Sequence, residues 1–173
     1  MAYPKDTPLI EAEFIGVDNR FYFQEDLAWG GPTGDGKAEI RLERTEEEHD
    51  CVECDGQTVE IPGIECDRAV IAGACAWGYF REKFRVVFDD GTAADAEVNF
   101  FDWAWSVGTV IGTSMEAESG DFECGVLKEY ERRDGQAFIY YNVTELPEPK
   151  RVKQIVFPDN ICMFIFGITL EAV

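Results

Sequence analysis

FRVVFDDGTAADAEVNF, residues 84–100, is the stretch that decides the fold. Phe84, Val86 and Phe88 alternate with Arg85 and Val87. Ala94, Ala96, Val98 and Phe100 then alternate with Asp95, Glu97 and Asn99. A period of two places each apolar set on one face of an extended strand. Between the runs stands DDGT (89–92), an Asp-Gly pair that tolerates the left-handed backbone of a tight turn. The stretch is therefore a β-hairpin with one apolar face.

Outward from the hairpin, short strands are punctuated by turns. Downstream, residues 136–144, 151–157 and 162–172 read as strands, broken apart by LPEPK (146–150) and PDN (158–160). Residues 161–166 are apolar on both faces, as in a central strand covered on each side. Residues 106–121 are irregular and long enough for a functional loop. Upstream, 9–16 and 19–24 read as an opening pair of strands, and WGGPTGDGK (29–37) as a Gly- and Pro-rich loop. Residues 38–43 alternate as a strand, and the acidic run 46–50 reads as a solvated loop. No long segment has the 3.6-residue helical period. About eight to ten strands define an all-β class, an antiparallel β-sandwich or jelly roll.

The 173 residues suit one domain spanning 1–173, long enough to bury a core without disulfides or metal. A composition 46% hydrophobic and 13% aromatic excludes the disordered class. The formal charge of −20 repels phosphate backbones and anionic headgroups, which argues against nucleic acid and membrane as partners. Most of that charge reads as solvated surface. No apolar run is long enough to span a bilayer. Residues 1–6 lack a basic segment followed by an apolar one, so the expected location is cytoplasmic, or secreted if the natural chain begins earlier. Six cysteines without a leader read as reduced thiols, although the same even number would pair in an oxidising compartment.

From residue 55 onward the motifs follow a definite order. They are DGQTVEIP (55–62), an apolar strand (69–74), FRVVFDDGT (84–92), NFFDW (99–103), KRVKQIVFPDN (150–160) and FGITLE (166–171). This order resembles galactose-binding-like β-sandwich domains found beside bacterial glycoside hydrolases. Those domains read G-Q-x-I-x-L-P, Y-x-D-G-T, S-D-W and I-x-L-P, with a closing A-x-T-L. The first 50 residues match only loosely, and the acidity and cysteine content depart from the pattern. The resemblance implies a jelly-roll sandwich and, by analogy, a non-catalytic carbohydrate-binding module. Related domains often hold a structural Ca²⁺ between an early loop and the last strand. By position its ligands would be Asp26, Asp35 and Glu171.

Sugar recognition needs an aromatic face for the ring and convergent polar groups for its hydroxyls. Trp29, Trp77, Tyr79 and Trp105, at loops or strand ends, are the candidate platforms. Arg81, Asn99, Asp102 and Glu116 are the candidate hydrogen-bonding groups. Against this stands the ordinary role of aromatics as core, which Trp103 illustrates. His49, Cys51 and Cys54 spell H-x-C-x-x-C, the start of a Zn²⁺ set, but no second C-x-x-C completes it. Buried thiols are the plainer reading.

Catalysis has little to draw on. One histidine and three serines, none in a nucleophile elbow, leave no Ser-His-Asp arrangement in view. With 35 acidic residues, carboxylate pairs at glycosidase spacing arise by chance, so a small glycoside-acting hydrolase is the weakest expectation. Asn142-Val143-Thr144 is a formal glycosylation sequon inside an expected strand, and reads as unused. The alternative to carbohydrate binding is a protein interaction or homo-oligomeric assembly module, using exposed aromatics or an edge strand.

Overall fold

The hairpin forms as β6 (Phe80–Phe88) and β7 (Ala93–Phe100), paired antiparallel from Phe80↔Phe100 to Val87↔Ala93. Phe84, Val86 and Phe88 are buried with Ala96, Val98 and Phe100, while Arg85, Asp95 and Glu97 are exposed. At the turn Gly91 takes a φ of 81°, and its N–H donates to the Phe88 carbonyl at 3.0 Å. Asp90 locks the turn: its Oδ1 accepts from the Thr92 N–H at 2.8 Å and from the Thr92 hydroxyl. Lys150 Nζ lies 3.1 Å from Asp90 Oδ2.

The Thr92 hydroxyl and N–H, with Lys150, hold the Asp90 carboxyl at about 2, below the usual carboxylate range. A carboxyl lowered by folding contributes stability above its unfolded value near 4, and loses it as pH falls through about 2. Asp90→Asn is therefore expected to be less stable than the parent at neutral pH. The difference should vanish between about pH 4 and pH 2. Urea midpoints taken across that range check this; a constant gap between the two proteins would contradict it.

The computed structural model describes residues 2–4, 29–33, 36, 38–42, 49–103, 124–132 and 135–172. Besides the hairpin, these residues form β1 (Ala2–Pro4), β2 (Trp29–Pro32), β3 (Glu39–Leu42), β4 (His49–Asp55) and β5 (Thr58–Cys75). Later in the chain come β8 (Gly125–Arg132), β9 (Gly135–Val156) and β10 (Asp159–Ala172). Every pair of strands among the described residues is antiparallel. The main sheet runs β1-β4-β10-β5-β9-β6-β7 with β8 also on β9, and β2 pairs with β3 alone. The expected all-β antiparallel class is what forms. No described helix is long and apolar enough to cross a membrane.

Two strands are far longer than the sequence pattern suggests. At about 3.3 Å per residue, the 22-residue β9 would extend roughly 70 Å if straight, so it must bend. The bends are bulges. Between Glu145↔Arg68 and Lys150↔Cys66, β9 carries several residues more than β5, and LPEPK sits there. What reads as a break between 136–144 and 151–157 is therefore a bulge inside one strand, where proline does no harm to the ladder. Pro62 likewise lies within β5 rather than ending it. It precedes Gly63 (φ 70°) at the shift between Glu60↔Gln154 and Ile64↔Val152.

Three smaller corrections follow. Residues 29–32 are a strand, not part of a loop, because Trp29↔Leu42 to Pro32↔Glu39 pair in register. His49 and Asp50 open β4 rather than closing an acidic loop. β10 starts at Asp159, inside the expected PDN break. The expected strands at 9–16 and 19–24 and the loop at 106–121 lie outside the described residues.

Bending brings β7 back over the middle of β9 and β5. Asn142 on β9 closes this seam as a peptide group would. Its Oδ1 accepts from the Asn99 N–H at 3.1 Å, and its Nδ2 donates to the Asn99 carbonyl at 2.8 Å. The Thr144 hydroxyl adds a bond to the Glu97 carbonyl at 3.2 Å. Asn142 is buried, its amide nitrogen spent inside the fold. Below the seam, Gly73 leaves room for the Phe100 ring to sit on the sheet. Phe84, Phe164, Tyr140, Trp103, Ile71 and Ile155 fill the space between.

Candidate functional site

The end of β5 is fastened on two sides. Cys75 N–H donates to the Phe101 carbonyl at 3.0 Å, and Trp103 N–H donates to the Cys75 carbonyl at 2.8 Å. On the other side, Ala76 N–H donates to the Cys162 carbonyl at 2.8 Å. The chain then turns through Trp77, which has a φ of 71° and is 58% exposed. A left-handed backbone is rare for a bulky residue, and such outliers collect where function holds them. Gly78 follows with a φ of 133°, and its N–H donates to Asp102 Oδ2 at 3.1 Å.

Asp102 is thus an anchor for the turn. It is buried, and its carbonyl accepts the Tyr140 hydroxyl at 3.1 Å. Burial, with Cys124, Asp102 and Cys75 nearby, pushes the Tyr140 hydroxyl above its ordinary pKa, so it stays a neutral donor. Tyr79 is half-buried, its ring 6.4 Å from that of Phe101. Trp77 is consequently held out from a rigid base.

Ile161 joins it. Ile161 precedes Cys162, whose carbonyl accepts the N–H of Ala76, the residue before Trp77. Ile161 is 63% exposed on a bulge of β10 between Asn160↔Cys54 and Phe164↔Glu53. Asn160 shapes that bulge: its Oδ1 accepts the Cys162 N–H at 3.0 Å, and its Nδ2 donates to Glu82 Oε1 at 2.7 Å. The sequence reading placed Ile161 in a central apolar run. The Asp-Asn pair before it was the available signal, since an Asx turn displaces the next residue from the strand.

The other candidates divide. Arg81 is exposed, 3.3 Å from Glu97 Oε1 across the hairpin. Asn99 is buried at the seam, with no hydrogen bond to its Oδ1 among the described residues. Trp29 lies in β2, paired with Leu42. Trp105, Glu116, Asp26 and Asp35 lie outside the described residues. The structure thus brings Trp77, Tyr79 and Asp102 together, while Arg81 and Asn99 belong to the hairpin and its seam.

Of the expected Ca²⁺ ligands, only Glu171 lies among the described residues. Arg68 Nη1 lies 2.6 Å from its Oε2, and the Glu39 N–H donates to Oε1 at 3.1 Å. Both of its carboxylate oxygens are thus engaged within the fold. Among the described residues no three His, Cys, Asp or Glu side chains come together to hold a metal. The cysteines are unbridged. Burial first, then the carboxylates of Glu82, Asp55 and Glu53, pushes the Cys54 thiol up to about 12. Burial does the same to Cys124. Both remain protonated thiols, poor ligands and poor nucleophiles.

Antiparallel strands folded over one core have the architecture of a β-sandwich domain. The profile of the AziU2-like beta-sandwich domain matches residues 36–173. The chain belongs to that family. No curated protein matches it.

Proposed function

We propose that this domain is a non-catalytic interaction module whose contact surface is centred on Trp77 and Ile161. The observation that carries the reading is an exposed indole on a left-handed, firmly anchored turn, with an exposed isoleucine next to Cys162, which bonds the start of that turn. Rigid aromatic anchors dominate protein contacts because little side-chain freedom is lost when they are covered. An aliphatic neighbour such as Ile161 suits a polypeptide partner. The charge of −20 opposes face-to-face pairing of two copies, which favours a different protein over self-assembly.

A photocrosslinking residue in place of Ile161 tests this in the cell that makes the protein, with one at exposed Lys153 as control. A discrete adduct is expected at 161 and not at 153, and it should disappear on Trp77→Gly. Equal labelling at both positions, or an adduct indifferent to Trp77, counts against the reading.

A second reading is carbohydrate binding in a galactose-binding-like jelly roll, supported by the ordered motifs from residue 55 and by the exposure of Trp77. Asn99 and Asp102 are buried and Arg81 pairs with Glu97 across the hairpin, so this reading rests on the aromatic surface. Tryptophan-fluorescence titration with a glycan panel separates the readings. A response lost in Trp77→Gly favours sugar, and silence across the panel removes it.

A further inference from the structure

We infer that the start of β5 is an open sheet edge that takes one added strand, a short extended polypeptide segment in which basic residues alternate with apolar ones. This surface is separate from Trp77, which follows the opposite end of the same strand. β10 pairs with β5 only from Cys66 onward. Before that point Thr58, Val59 and Glu60 pair with Val156, Ile155 and Gln154 of β9. β9 passes the ladder on to Arg85, Val86 and Val87 of β6. Residues 58–60 are therefore the margin of this part of the sheet, with no strand on their outer side among the described residues.

Register decides what the margin offers. The Gln57 carbonyl accepts the Phe157 N–H at 2.8 Å, so it points at β9. Backbone groups of an antiparallel strand alternate in direction, which turns the N–H and carbonyl of Thr58 and of Glu60 outward. Both residues are exposed. Side chains alternate as well. Val59 lies on the face of Ile155 and Val86, both buried in the core, yet is itself 41% exposed. Thr58 and Glu60 lie on the solvent face, and Glu60 belongs to none of the ion pairs among the described residues.

An added strand meets all three features. Its peptide groups bond Thr58 and Glu60, its inward side chains cover Val59, and a cation on its outer face stands opposite Glu60. A second copy of the chain suits this edge poorly. Pro62 and Gly63, with a φ of 70°, kink β5 just beyond Glu60, as edges protected from self-pairing do. The charge of −20 also opposes the approach of two copies.

Amide hydrogen exchange on the full chain, with the synthetic peptide acetyl-Lys-Val-Lys-Val-Lys-amide, tests the inference. The Thr58 and Glu60 amides are expected to slow as the peptide saturates, while the Val59 amide, which faces β9, does not change. Acetyl-Glu-Val-Glu-Val-Glu-amide should slow neither. Glu60→Lys is expected to weaken binding of the lysine peptide about fivefold, since it turns an opposite-charge pair into a like-charge one. Thr58→Pro removes an outward N–H without touching the β9 ladder, and should abolish the slowing at Glu60. Amides that stay fast under millimolar lysine peptide, or slow equally at Val59, overturn the added strand. Equal slowing by the glutamate peptide, or unchanged binding in Glu60→Lys, overturns the basic partner. Slowing at Thr58 and Glu60 that rises with protein concentration alone assigns the edge to a second copy and overturns the inference too.

Discussion

Gly73→Ala is expected to lower the unfolding free energy by about 3 kcal/mol, the upper end of the cost of overpacking a core. A Cβ on residue 73 would stand 2.6 Å from the Phe164 carbonyl oxygen and 2.6 Å from Phe100 Cε2. The Phe100 ring has other rotamers, although each would empty space beneath the seam. The Phe164 carbonyl has no such freedom, because it belongs to the backbone of β10, which is paired with β5 through Ala74. Relief therefore has to come from parting two central strands. Urea denaturation followed by tryptophan fluorescence measures the effect. A variant within about 0.5 kcal/mol of the parent, the usual range for harmless substitutions, would show that the layers approach less closely than described.

Asn142→Leu should cost a comparable amount, about 2–4 kcal/mol, for a different reason. Leucine keeps the volume but leaves the Asn99 N–H and carbonyl without their partner. Each buried polar group left unsatisfied costs about 1–3 kcal/mol, and here there are two. Asn142→Asp should not rescue, since its second oxygen faces a carbonyl and a buried charge is added. Hydrogen exchange localises the effect: the Asn99 amide should lose protection before its neighbours on β6 do. Unchanged protection at Asn99 in the leucine variant would mean that the seam is closed by packing alone.

These two positions also mark how far the chain could be read without coordinates. The hairpin was legible because its two signals, alternation and an Asp-Gly turn, are local. The length of β5 and β9 was not. Pro62-Gly63 and LPEPK look like strand ends, and only their partners across the sheet reveal them as bulges. Trp29–Pro32 failed in the same way, since glycine and proline mask a strand whose support is its pairing with Leu42. Trp77 reads from the sequence as an aromatic at a loop or strand end, and Asp102 as a hydrogen-bonding group. That Asp102 accepts the Gly78 N–H depends on a contact 24 residues away in sequence. Ile161 was misread because apolar composition says nothing about which way a residue faces once a turn intervenes.

The left-handed backbone at Trp77 has a consequence for how this domain varies. An L-residue in that conformation carries a penalty of about 1–2 kcal/mol that glycine largely escapes. A chain shaped by folding alone would put glycine at 77, next to the one already at 78. If Trp77 is the contact residue proposed above, selection for stability and selection for contact pull this single position in opposite directions. Selection of this protein for heat resistance alone would then be expected to replace Trp77 with glycine early.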